Sequence, residues 1–185
     1  MKRLILLTAF LGLAGTTLAE AQTVKPEKML VVYYSLSGNT KAVAEHIRKA
    51  TGAATFEIKT QKAYPEDNRE LLAISKKEIE NKDYPALQGM PGNLDKYDVI
   101  FVGTPNWYST MAPAVNTFFE NGKIADKIVI PFVTHGGGGM AKCEKDMQAA
   151  CPKAKFLKGI AIDGSNAPEA EKSVRKWLKE IGMME

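Results

Sequence analysis

The residues with the most evident chemistry lie in three short segments. The first is Ser35-Leu36-Ser37-Gly38-Asn39-Thr40, which follows the apolar run Met29–Tyr34 and leads into a helical pattern. The backbone N–H groups of such a turn and of the helix N-terminus behind it converge on an anion. Ser35, Ser37 and Thr40 add neutral hydroxyl donors, and Gly38 is free to take positive φ. The segment has no Gly-Lys-Ser/Thr, which excludes a nucleoside-triphosphate loop, and no G-x-G-x-x-G, which excludes a dinucleotide fingerprint. It has no cysteine either, because the chain's two stand at Cys143 and Cys151. The chemistry left is a phosphate held without lysine or metal. The plainer alternative is a polar strand-to-helix turn.

The second segment, Gly103-Thr104-Pro105-Asn106-Trp107-Tyr108-Ser109-Thr110-Met111, follows the apolar YDVIFVG run. A flat conjugated ligand needs a flat partner, and Trp107 or Tyr108 offers one worth about 0.5–1.5 kcal/mol beyond burial. The third, Thr134-His135-Gly136-Gly137-Gly138-Gly139, carries four successive glycines, whose entropic cost points to close approach of backbone to a ligand. His135 can hydrogen-bond a ring carbonyl or a substrate. His46 sits mid-helix and reads as structural. Asp163-Gly164-Ser165-Asn166 reads simply as a loop.

Other chemistries find little support. With two histidines and two cysteines, no set has metal-ligand spacing. A G-x-S-x-G elbow is absent. The formal net charge is +4, and Lys2 and Arg3 supply two of those charges. The remaining basic residues are dispersed, unlike a nucleic-acid footprint. Residues 1–21 read as a secretory signal: Lys2-Arg3, an apolar stretch Leu4–Leu18 too short for a comfortable membrane span, and Ala19-Glu20-Ala21, with cleavage after Ala19 or Ala21. The expectation is a periplasmic or secreted protein whose mature chain, residues 22–185, is one domain without a membrane span. Cys143 and Cys151 fall in one expected helix, about 12 Å apart along its axis, too far for a disulfide unless the helix ends before Pro152. Two buried thiols are the simpler reading.

Apolar patterning predicts strands at Met29–Tyr34, Ala54–Lys59, Tyr97–Gly103, Lys127–Thr134 and Lys155–Ile162. Between and after them lie helices at Asn39–Ala50, Asp67–Asn81, Ala114–Asn121, Met140–Ala150 and Glu169–Ile181. This alternation implies a three-layer α/β/α sandwich on a five-stranded parallel sheet. Right-handed crossovers favour strand order 2-1-3-4-5, with a ligand at the switch point between strands 1 and 3. The three segments above then share one sheet edge.

Together these segments, with Ala63-Tyr64-Pro65, Tyr97–Gly103 and Cys151-Pro152-Lys153-Ala154, resemble the flavodoxin-like family, specifically an FMN-binding bacterial subfamily, over nearly the whole mature chain. The resemblance implies that Ser35, Ser37, Gly38, Asn39 and Thr40 hold the FMN phosphate. It implies that Pro105, Asn106, Trp107 and Tyr108 frame the isoalloxazine, and that Thr134, His135, Gly136 and Gly137 close its other side. The function implied is electron transfer through bound FMN, with a redox protein as partner. Gly103-Thr104-Pro105 and Met111 also resemble flavodoxin-like quinone reductases, which would pass electrons from NAD(P)H to a quinone. A non-flavin binding module on the same fold is the third reading. Two features depart from electron-carrier flavodoxins, which are usually acidic and cytoplasmic: this chain is mildly basic and carries a leader pattern.

Overall fold

A computed structural model describes residues 25–65 and 67–185. The leader expected over 1–21 lies outside the described residues. The sheet begins with β1 (Met29–Tyr33), five consecutive buried residues, as a strand covered on both faces requires. Helix α1 (Asn39–Thr51) follows; Gly52 ends it at φ 73°, its N–H donating to the Arg48 carbonyl. After β2 (Ala54–Glu57) comes α2 (Asn68–Asn81), capped by Asp67, whose side chain accepts the Glu70 N–H. Then follow β3 (Val99–Trp107), β4 (Thr110–Met111), α3 (Pro113–Asn121) and β5 (Ile128–His135). The chain closes with α4 (Cys143–Ala150), β6 (Lys155–Phe156), β7 (Ile160–Asp163) and α5 (Glu171–Glu180).

The sheet runs β2-β1-β3-β5-β6, with β7 also parallel to β5. This is the expected doubly wound order, with the fifth strand in two pieces. Between the pairs Val129↔Phe156 and Phe132↔Ile160, β5 advances three residues and its neighbour four, so one residue is extra. That bulge lies opposite Pro131, which has no N–H for the ladder. A Cβ on Gly159 would sit 2.7 Å from the Pro131 carbonyl oxygen, so glycine belongs there.

Period-two alternation sends successive strand residues to opposite faces. Val31, Val99, Phe101 and Phe132 pack with Val43 and Ile47 of α1 and with Val174 and Trp177 of α5. Leu30, Val32, Ile100 and Val102 pack with Val115 and Phe118 of α3 and Met147 of α4. The sheet is thereby packed from both sides.

Beyond the split fifth strand, the structure departs from the sequence reading most clearly at the third strand and at the fourth helix. The third strand does not stop at Gly103; it runs on to Trp107 and turns back through β4, with Asn106↔Met111 and Trp107↔Thr110 paired antiparallel. The turn is Tyr108-Ser109, at φ 51° and 66°, where hairpins usually place Asn-Gly, so no turn signal stood in the sequence. Helix α4 starts at Cys143, three residues late. Cys143 and Cys151 then stand at its two ends, both buried and both free.

Candidate functional site

Because the strands are parallel, β1, β3, β5 and β7 deliver their C-terminal ends to one edge. A cleft of about 360 Å³ opens there. Its walls include Ser37 and Asn39 after β1, Pro105, Asn106 and Trp107 of β3, and Thr134, His135 and Gly136 at the end of β5. Eight of the thirteen expected site residues therefore meet on one surface. Asp163, Gly164 and Ser165, read from sequence as a plain loop, complete it.

The other five expected residues stand beside the cleft. Gly38 is the N-cap of α1 at φ 89°, and no side chain caps the helix. With the Lys41 N–H taken by Ser35, the Asn39 and Thr40 amides of the first turn keep their donors for a ligand. Ser35 Oγ accepts the Lys41 N–H at 3.2 Å and so shapes the turn from within. Thr40 Oγ1 and Thr134 Oγ1 share a buried hydrogen bond of 2.8 Å, tying the first loop to the third. Gly137 donates its N–H to His135 Nδ1 at 3.0 Å. Tyr108 turns away: its hydroxyl donates to the Leu72 carbonyl at 2.9 Å, and its ring is 45% exposed at the hairpin tip.

Trp107 is held by rings rather than by hydrogen bonds. Tyr34 and Tyr64 meet it edge-on, at centroid distances of 5.7 and 5.2 Å. Such T-shaped contacts are favourable and directional, so they fix the indole plane. Burial, the largest cause, pushes both tyrosine hydroxyls well above their ordinary range, so both stay neutral.

The opposite wall is polar. Because His135 Nδ1 accepts from Gly137, a neutral imidazole carries its proton on Nε2. Asp163 Oδ2 lies 3.8 Å from Nδ1, beyond hydrogen-bond distance. Asp163 Oδ1 accepts from Ser165 twice, from the hydroxyl at 2.6 Å and from the N–H at 3.0 Å. The hydroxyl first, then the amide, hold the carboxyl below its ordinary range. One ionised carboxylate therefore stands in the cleft. The available signal for this loop was an Asp-x-Ser turn after the last strand, which lands on the ligand-binding edge of any doubly wound sheet. No group of three or more His, Cys, Asp or Glu with metal-holding placement occurs among the described residues.

A family model described as flavodoxin matches residues 28–181. The chain belongs to the flavodoxin family. A candidate flavoprotein of Bacteroides uniformis is 33% identical; the alignment covers 84% of this chain and 99% of that one, with a TM-score of 0.75. A Lactobacillus acidophilus flavoprotein, solved in complex with FMN, is 26% identical over 77% of this chain and 97% of its own, with a TM-score of 0.64. An NAD(P)H dehydrogenase (quinone) of Gluconacetobacter diazotrophicus is 27% identical over 124 residues, 60% of this chain and 59% of that relative. The chain thus spans about three fifths of that relative's length.

Proposed function

We propose that this flavodoxin-family protein binds FMN in the cleft and transfers electrons through it. The observation that carries this is the N-terminus of α1, where Gly38 caps without a side chain and leaves the Asn39 and Thr40 amides open onto the same edge as Trp107 and the glycine segment. The residues present fit the group. Gly38 and Gly136 have nothing within 4 Å of where a Cβ would lie, leaving room for a ligand against the backbone. Among the described residues, Lys41 is the cation on the turn, and its Nζ already faces Glu57 at 3.6 Å. A phosphate would therefore rest on N–H and hydroxyl donors.

Ser35, Ser37, Gly38, Asn39 and Thr40 would hold the phosphate, Pro105, Asn106 and Trp107 one side of the ring, and Thr134, His135, Gly136 and Gly137 the other. Tyr108 serves the site as the turn that sets Trp107. Bound FMN supplies one- and two-electron transfer. The chain's own part is to exclude water with the indole and to present the Asp163 carboxylate, which opposes any gain of negative charge in the cleft and so lowers the reduction potential.

A second reading, an FMN-dependent NAD(P)H:quinone reductase, is supported by the Gluconacetobacter relative. The leader pattern supports export, with FMN acquired outside the cytoplasm and a partner there, protein or quinone. The test is to add FMN, desalt, and record the visible spectrum with and without NADH and NADPH. A retained, perturbed spectrum supports FMN binding. Bleaching by nicotinamide with steady turnover supports the reductase; retention without bleaching supports a carrier. Loss of all flavin on desalting overturns the proposal.

A further inference from the structure

A second hollow lies behind the aromatic wall, away from the cleft. It measures about 460 Å³, against about 360 Å³ for the cleft. Tyr64, Pro65, Ile74 and Pro85 give it an apolar lining, and Glu70 and Glu78 line it from α2. Glu70, Ile74 and Glu78 are spaced four apart, so they share one face of that helix.

Its floor is preformed. The segments 59–61 and 86–88 are joined by Gln61 N–H to the Ala86 carbonyl and by Gln88 N–H to the Lys59 carbonyl, both at 2.8 Å. Gln88 Nε2 and Gln61 Nε2 add bonds across the same seam. Thr117 Oγ1 anchors the Pro85 carbonyl to α3 at 2.8 Å.

Two carboxylates and one lysine line this hollow, so its charge is net negative. Among the described residues, no cation lies within 4.0 Å of either Glu70 or Glu78. The side-chain bond to Glu78 comes from the Tyr64 hydroxyl. Burial, the largest cause, raises its carboxyl above the ordinary range, and Asp83 adds to that. Lys62 is the one basic residue on the lining, and it is exposed. An apolar hollow with the half-buried Glu78 carboxylate inside, the exposed Glu70 at its rim and the Tyr64 ring as a wall suits a cation carried on an apolar or aromatic body.

We infer that this hollow is a second binding site, distinct from the cleft, for a small organic cation such as an aryl-alkylammonium. The cation sits against Glu78 and Glu70 and the body against Tyr64, Ile74 and Pro85. Occupancy is felt at Trp107, because the Tyr64 ring touches both the hollow and the indole. The inference does not depend on what fills the cleft.

The test is an NMR titration of the protein with benzylammonium and, separately, with the near-isosteric neutral benzyl alcohol, without and with added FMN. The expected result is saturable shifts at Tyr64, Ile74 and the Trp107 indole. The neutral probe and the Glu78→Gln variant should each bind about tenfold more weakly, the loss of one ion–ligand contact. Ile74→Trp, which fills the hollow, should abolish the shifts while the rest of the spectrum stays native. Affinity for the cation should fall as acid protonates Glu78. Equal affinity for the two probes, shifts elsewhere on the surface, or full binding by Ile74→Trp would overturn the inference. Failure to retain FMN would leave every one of these outcomes readable.

Discussion

The hydrogen bond between Thr40 and Thr134 is the sharpest test of how the site is built. Both side chains are buried, at 1% and 3% exposure, and their hydroxyls are 2.8 Å apart. Changing one threonine to valine keeps the shape and leaves the other hydroxyl buried without its partner. That costs roughly 1–3 kcal/mol. At about 2–4 °C per kcal/mol for a chain of this size, each single variant should lower Tm by several degrees. Changing both removes donor and acceptor together, which is close to neutral. Thr40→Val plus Thr134→Val should therefore be more stable than the sum of its singles. Denaturant unfolding would measure this, with midpoints shifting and m-values constant. The same variants report on ligand. In the pair one hydroxyl donates to the other and one proton stays free to meet an anion. Losing it should weaken FMN more than riboflavin, which lacks the phosphate. A double variant that loses the full sum of its singles would refute the coupling, and equal losses of FMN and riboflavin would refute the phosphate role.

Other outcomes follow from the same geometry. A Cβ on Gly103 would overlap the buried Phe132 ring, so Gly103→Ala should destabilise by about 1–3 kcal/mol or more, measured by the same unfolding curves. Trp107→Leu should restore flavin fluorescence and shift the flavin absorption bands; spectra identical to the parent's would remove Trp107 from the ring wall. Asp163→Asn should raise the potential of bound flavin, read by equilibration with a reference dye, and a lower potential would contradict the electrostatic argument. Burial and the nearby Asp146 push the Cys143 thiol up to about 12 from an ordinary 9.0. Its unfolded form therefore loses its proton first, and stability should fall as pH rises from about 9 towards 12. Cys143→Ala should flatten that alkaline limb in pH-dependent unfolding.

The layers and strand order could be read along the chain because they rest on local, repeated signals. Met29–Tyr33 is continuously apolar, as a strand buried on both faces must be, and Gly52 stops α1 where a positive φ is needed. The hydroxyl- and glycine-bearing turn at 35–40 is likewise a local object. The hairpin at Tyr108-Ser109 was not legible, since neither residue advertises positive φ. Its conformation is imposed by contacts from distant segments: the Leu72 carbonyl holds Tyr108, and the Ser109 carbonyl accepts the Lys142 N–H at 2.9 Å.

The order of residues alone decides which loops carry donors, rings and glycines, and an alternating pattern of elements brings them to one edge. It could not determine which side chains then face the ligand. Trp107 turns to the cleft and Tyr108 away from it because Tyr34 and Tyr64, far apart in sequence, pack against the first. Asp163 and Ser165 join the site because β7, which ends at Asp163, pairs with β5 so that Asp163 lies beside His135. Strand and helix patterning is an energy summed over neighbours in sequence, whereas side-chain direction at a loop is decided by a few contacts between residues dozens of positions apart.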